Sequence, residues 1–203
     1  GGAIPQDGSV IIEMARFKEI HEVDIINRTI TVGPGVINLR ITEHVNADGY
    51  HYAPDPSSQK ACTIGGNVAE NAGGPHTLKY GVTVNHVLGL EMVLADGELV
   101  TLGANHFGQP GPDLLGLVTG SEGTFGIITK ITCRLMPNPE KAVTMLGIYK
   151  SVREACESVS NIIGQGIIPA ALEMLDKTMI YAVEKALKPG FPLDAEAVLI
   201  VEL

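Results

Sequence analysis

The stretch Pro54–Gly81, PDPSSQKACTIGGNVAENAGGPHTLKYG, constrains this chain more than any other. Its 28 residues include five glycines, three prolines and two asparagines, and they hold little apolar material for an ordinary helix or strand core. Glycine admits positive φ and lacks the Cβ that would hold a partner away, so the composition suits a backbone that approaches something closely. Thr63 is a plausible N-cap for a short turn over Gly65–Asn71, and such a turn would put Asn67 and Asn71, four residues apart, on one face. Two readings stand for the stretch. One is a ligand loop, because loops this long without structure of their own are uncommon in compact domains and tend to be functional. The other is a mobile surface loop.

The rest of the composition narrows the class. At 203 residues the chain can form one or two domains with a real core. A hydrophobic content of 45% against 18% charged residues indicates an ordered globular protein. The net charge of −9 argues against nucleic acid or an anionic membrane as the principal partner, though not against a local basic patch. Cys62, Cys133 and Cys156 are widely spaced and form no CxxC, so reduced thiols are expected rather than a zinc knuckle or dithiol. The opening GGAIP and the closing AVLIVEL both read as positions inside a domain, so the expectation is a fragment.

Along the chain, a short apolar run lies at Val10–Glu13 and a second at Val23–Ile26, followed by a turn at Asn27–Arg28. Thr29–Val32 reads as a β-branched strand ended by Gly33-Pro34-Gly35. Ile37, Ile41 and Val45 recur at helical spacing and predict an amphipathic helix over Val36–Ala47. Val84–Ala95, Asp96-Gly97 and Glu98–Leu102 predict a hairpin in which both turn residues take positive φ. A loop is expected at Pro110–Pro112, and Asp113 caps a short turn at Leu114–Val118. Gly120–Gly126 then runs into a strand at Ile127–Leu135. Beyond Pro139 the pattern becomes strand (Val143–Tyr149), helix opened by a Ser151/Glu154 capping box, strand (Leu172–Leu175), helix capped by Asp176, and strand (Ala197–Leu203).

Familiar phosphate loops are missing: there is no GxxxxGK[ST] and no GxGxxG between strand and helix. Gly120-Ser121-Glu122-Gly123 is not a GxSxG elbow. The histidines at 21, 44, 51, 76, 86 and 106 form no HExxH pattern and read as surface or packing residues. His76, inside the central stretch, could equally face a ligand. What remains is glycine at three places: Gly1-Gly2, the pairs Gly65-Gly66 and Gly73-Gly74, and Gly120, Gly123 and Gly126. Turns of this kind can free backbone N–H groups to hold an anion or a ring acceptor. Gly120–Gly126 can equally be a tight turn feeding a buried strand.

Two long motifs carry a resemblance. Pro56-Ser57-Ser58, Thr63-Ile64-Gly65-Gly66-Asn67-Val68-Ala69-Glu70-Asn71-Ala72-Gly73-Gly74 and Lys79-Tyr80-Gly81 resemble the central motif of FAD-linked oxidases of the vanillyl-alcohol-oxidase type, the PCMH fold. Gly120-Ser121-Glu122-Gly123-Thr124-Phe125-Gly126-Ile127-Ile128 resembles their second hallmark, with phenylalanine where leucine is usual. Asn71–Thr83 and Asp113–Leu117 look most like the branch that holds glycolate oxidase D-subunits and D-lactate dehydrogenases. The resemblance covers essentially the whole chain.

It implies an α+β fold: the second part of a PCMH-type FAD-binding domain over residues 1–139, then the beginning of an α+β substrate-capping domain over 140–203. It implies non-covalent FAD, held by Gly2, Pro54, Asp55, Ser57, Thr63, Gly65, Gly66, Asn67, Asn71, Gly73, Gly74, Tyr80, Glu122, Gly123, Gly126, Ile127 and Ile128. Gly1-Gly2 resemble the tail of the loop that grips the pyrophosphate. The family's catalytic and metal-binding histidines belong to an HxGDGNxH-type motif that this chain lacks, so no catalytic residue and no metal ligand is carried over. The implied reaction is oxidation of a small D-2-hydroxy acid, glycolate or D-lactate, by hydride transfer to flavin N5. Implied with it are a separate electron acceptor, an iron–sulfur or flavoprotein subunit as partner, no nucleic acid, and a cytoplasmic location, free or peripheral at the inner membrane. The fragment itself is expected to be inactive. Two other readings share the fold: a non-catalytic scaffold or partner-binding domain, and an NADPH-using peptidoglycan-precursor reductase, whose motifs match less well.

Overall fold

The computed structural model describes residues 4–103 and 111–203. Gly2 and the first residue of the loop expected at 110–112 lie outside them. The chain divides into two compact units, one comprising residues up to Gly74 with Gly81–Asn138, the other Pro75–Tyr80 with Pro139–Leu203.

The first unit is a twisted antiparallel sheet with helices on one face. In chain order it contains β1 (Ile20–Asp24), β2 (Thr29–Val32), α1 (Asn38–Val45), β3 (Tyr50–His51) and α2 (Ile64–Glu70). The chain then enters the second unit for α3 (Thr77–Tyr80). It returns for β4 (Val87–Val93), β5 (Leu99–Gly103), α4 (Leu114–Val118), β6 (Ile127–Arg134) and β7 (Met136–Pro137). The main sheet has the order β1-β2-β6-β4-β5, and β3 pairs with β7. Cross-strand register sorts the side chains by face. Ile30 opposite Cys133 and Val32 opposite Ile131 lie on the inner face, and Leu90 faces Ile131 from the other side of β6. These residues, with Met92, pack against Ile41 and Val45 of α1 and Ile64 and Val68 of α2, forming one buried core. The outer face is polar: Thr31 and Thr132 share a hydrogen bond of 3.0 Å, and Lys130 pairs with Glu91 at 2.9 Å.

The apolar run Val10–Glu13 forms no strand; Val10 and Ile11 are exposed, and no strand pairs with them among the described residues. Two local expectations are revised. The predicted helix over Val36–Ala47 is α1 followed by a single 3₁₀ turn at Asn46–Asp48, which Gly49 ends at φ +84°. The Asp96-Gly97 hairpin is not a two-residue turn. Gly97 N–H donates to Leu94 O, Leu94 N–H to Glu98 O, and only Gly97 has positive φ, at +88°. This is the longer hairpin, a turn closed by one left-handed residue, so Asp96 stays right-handed and its carboxylate accepts from Glu98 N–H at 3.0 Å.

The second unit is a split β-α-β arrangement. β8 (Thr144–Tyr149), α5 (Val152–Gly164), β9 (Ala171–Asp176), α6 (Lys177–Leu187) and β10 (Ala197–Glu202) form a sheet of order β8-β10-β9, antiparallel throughout. Ser151 accepts from Glu154 N–H at 3.2 Å, while the Glu154 carboxylate reaches back one residue further than expected, to Lys150 N–H. Asp176 caps α6 through Met179 N–H at 2.8 Å. A small core joins Ile180, Ala195 and Val198.

Candidate functional site

The central stretch is built around α2, a helix that cannot hold itself. Seven residues span about 10 Å, fewer than an isolated helix needs in water. Gly65 and Gly66 each cost about 1 kcal/mol relative to alanine. The Thr63 cap, whose Oγ1 accepts from Gly66 N–H at 3.3 Å, contributes about 1 kcal/mol in return. The remainder comes from outside the helix, at both ends.

At the start, Ile64 N–H donates to Val36 O (2.8 Å), Gly65 N–H to Pro34 O (2.9 Å) and Asn67 N–H to Thr63 O (3.0 Å). Every donor of the first turn is thus taken, so this helix terminus has none left for a phosphate. In exchange, Asn38 N–H donates to Cys62 O (3.0 Å) and Leu39 N–H to Gln59 O (3.1 Å), so the starts of α1 and α2 complete each other. At the far end Asn71 is left-handed, with φ +52°, and stops the helix. The second glycine segment then supplies the missing donors: Gly120 N–H to Val68 O (2.7 Å) and Glu122 N–H to Ala69 O (2.9 Å). Both donors sit at positive φ, +87° and +55°. Two motifs some fifty residues apart in sequence therefore form one surface.

The two asparagines do not share a ligand face. Asn67 is 4% exposed and its Nδ2 donates to Asn38 Oδ1 at 2.8 Å. Asn71 Oδ1 accepts from Val84 N–H at 2.9 Å. Pro54 is buried, and its carbonyl accepts from Asn38 Nδ2 at 2.9 Å. Ala72 O receives both the N–H (3.0 Å) and the hydroxyl (2.7 Å) of buried Thr83. Asn38 and Thr83 escaped the sequence reading. A lone asparagine at a helix start reads as a cap, and a threonine in a loop carries no signal at all.

The glycines separate into two groups. A Cβ at Gly65 would lie 2.6 Å from the Pro34 ring, one at Gly74 2.5 Å from the Asp55 backbone, and one at Gly126 2.5 Å from Val93 O. These three serve close packing of the chain on itself. A Cβ at Gly66 would meet only Thr63 Oγ1, at 3.5 Å, and one at Gly123 would meet nothing within 4 Å. Those two leave open space. Around them Glu122, Gly123, Thr124 and Phe125 are exposed, and buried Thr119 keeps a hydroxyl without a partner. Ser57 is exposed in the turn before α2, and Ile127 and Ile128 are half-buried where β6 pairs with Val93 and Met92.

His76 and Tyr80 belong to the second unit. His76 Nε2 lies 3.2 Å from Glu202 Oε1, and its ring is 6.4 Å from that of Tyr80, over which Lys79 Nζ sits at 5.5 Å. Among the described residues no group of three or more His, Cys, Asp or Glu side chains could hold a metal ion. Cys133 is fully buried and its thiol is pushed up to about 12, so it is no nucleophile; burial likewise raises the Tyr52 hydroxyl well above its usual value.

The first unit is thus an antiparallel sheet backed by a clasped glycine helix, and sequence comparison gives the class of protein it belongs to. The family model described as "FAD binding domain" matches residues 1–103, and "FAD linked oxidases, C-terminal domain" matches residues 138–203. The chain belongs to the FAD-linked oxidases. Over its full length it is 50% identical to the glycolate oxidase subunit GlcD of Escherichia coli K12, covering 41% of that protein, and 44% identical to GlcD of Bacillus subtilis, covering 43%. A D-lactate dehydrogenase of Anaerostipes hadrus is 35% identical over 97% of the chain and 42% of its own length. The chain thus spans about two fifths of these relatives. Among solved structures, alkyldihydroxyacetonephosphate synthase in one crystal form superposes with a TM-score of 0.76 at 21% identity, over 94% of this chain and 37% of that one, which speaks for the fold alone.

FAD is the family's cofactor, and the residues present fit it. Open space at Gly66 and Gly123 admits a flat ring against backbone, and the orphaned Thr119 hydroxyl offers a polar group beside the second loop.

Proposed function

We propose that this chain forms the ring-holding part of the FAD site in an enzyme that oxidises a small D-2-hydroxy acid, glycolate or D-lactate, to the 2-oxo acid. The observation that carries the reading is the clasp of α2 by Gly120 and Glu122, which joins both glycine motifs into one surface with open positions at Gly66 and Gly123. The identities to GlcD and D-lactate dehydrogenase support the substrate class.

Bound FAD would supply the hydride acceptor, at N5 of its ring. The chain's own part is positioning. The Gly66 face of α2 and the Gly120–Gly126 loop receive the ring, with Gly73, Glu122, Ile127 and Ile128 along its border. Thr63, Gly65, Asn67, Asn71 and Gly74 hold that backbone from behind. The α2 start has no free donor, so the pyrophosphate is held elsewhere. No residue of this chain is proposed as the base that takes the hydroxyl proton, and the isolated chain is expected to bind FAD weakly and turn over no substrate. The reading includes a separate electron acceptor, with an iron–sulfur or flavoprotein subunit as the expected partner. Among the described residues no helix is long and apolar enough to cross a membrane.

The scaffold reading accounts for Gly65, Gly74 and Gly126, which pack against the chain itself, and for Gly123, whose φ of +76° asks for glycine, but not for Gly66. The test is a FAD titration of a protein carrying this sequence at the full length of its relatives. Gly66→Val should weaken binding at least about tenfold while the apoprotein stays folded. Unchanged affinity in that variant would favour the scaffold.

A further inference from the structure

Asn38 lies outside every motif, yet it touches the central stretch at three points. Its N–H donates to Cys62 O, its Nδ2 to Pro54 O at 2.9 Å, and its Oδ1 accepts from Asn67 Nδ2 at 2.8 Å. The side chain is 1% exposed and its neighbours along α1, Ile37 and Ile41, are apolar. It does not cap its own helix: α1 begins after Ile37 with no side-chain cap. A leucine, branched at the same carbon, would fill the site but leave Pro54 O and Asn67 Nδ2 without their partner. What an apolar residue could not do is fix the two segments that Asn38 joins.

We propose that Asn38 is a positioning residue for the flavin, setting the distance between the Pro54–Asp55 backbone and α2. The inference rests on the reading of this surface as a flavin site. One arm runs from Nδ2 to Pro54 O and so to Asp55, whose backbone lies where a Cβ on Gly74 would be. The other runs from Oδ1 to Asn67, the neighbour of Gly66. The two glycine pairs are thereby referred to one buried carboxamide. Buried hydrogen bonds of this kind hold geometry because each group left unpaired is costly. Thr42, one turn further along α1, supports the same segment through Tyr52, whose N–H donates to its Oγ1 at 3.1 Å.

The test uses the full-length holoenzyme with three substitutions, Asn38→Leu, Asn38→Asp and Thr42→Val. Readouts are FAD dissociation constant, visible absorption envelope of the bound flavin, and thermal midpoint of the apoprotein. Asn38→Leu should weaken FAD about tenfold and alter the flavin envelope at saturating FAD. Asn38→Asp should do the same at neutral pH, and return toward the wild-type envelope as the pH falls, because a protonated carboxyl can again donate to Pro54 O while accepting from Asn67. Thr42→Val should lower the thermal midpoint without moving the envelope. Asn38 variants that shift only the thermal midpoint, with an unaltered envelope, overturn the proposal. If Asn38→Leu does not fold, the pH response of Asn38→Asp decides in the same way, and its absence counts against the idea. A wild-type protein that takes up no FAD overturns the flavin reading itself, and this proposal with it.

Discussion

At the scale of residues, glycines that look alike in sequence do different work. Gly65-Gly66 and Gly73-Gly74 read as equivalent pairs, but Gly65 and Gly74 make room for Pro34 and Asp55 whereas Gly66 faces open space. Two opposite outcomes follow. Gly66→Ala should stabilise the apoprotein by up to about 1 kcal/mol through helix propensity while weakening FAD. Gly74→Ala should cost about 1–3 kcal/mol, because the Asp55 backbone must move. Urea unfolding of the two apoproteins checks both signs. The asparagines teach the same lesson. Asn67 and Asn71 sit four apart as the sequence suggests, but α2 ends before Asn71, whose left-handed backbone turns its side chain to Val84. The partners Asn38 and Thr83 were invisible because each bond joins residues 11 to 29 positions apart.

Elements set by local chemistry were largely legible. Thr63, Asp113, Ser151 and Asp176 each cap the helix that follows them. The strand Thr29–Val32 was readable from its β-branched run and its Gly-Pro-Gly stop. Where the outcome depends on distant partners, local pattern failed: Val10–Glu13 has the apolar content of a strand but no neighbour to pair with among the described residues. The clasp of α2 belongs to this second kind, and it is testable as an element. Gly120→Ala would place a side chain at φ +87° and 3.1 Å from Asn71 Cβ. The loop should then withdraw its donor from Val68 O, and α2 amides should exchange with solvent at least about tenfold faster while those of β4 and β6 hold. Equal protection of α2 in the variant would show that the second loop does not hold the helix.

At the scale of the molecule, the core of the first unit carries a pH dependence. Burial pushes the Cys133 thiol from 9.0 up to about 12 and raises the neighbouring Tyr52 hydroxyl as well. Between those limits the unfolded chain has released a proton that the folded protein retains. The unfolded state therefore binds fewer protons, and stability falls as pH rises, by on the order of 1.4 kcal/mol per pH unit for one such group. Urea midpoints should hold up to about pH 8 and then decline, with a shallower decline in Cys133→Val. Identical slopes in the two proteins would remove Cys133 as the cause.

The two-ended support of α2 also bears on the order in which the protein comes together. A seven-residue helix with paired glycines nucleates poorly on its own. Its end groups are satisfied by Pro34 and Val36 on one side and by Gly120 and Glu122 on the other, and the second of these is reached only after β4 and β5 have been laid down in the chain. Contacts of such long sequence separation are entropically expensive to close early. The backbone of α2 and its clasp is thus expected to be among the last parts of the first unit to order, and a nascent chain that has not yet reached Gly120 would have a sheet under construction but no completed glycine surface against it.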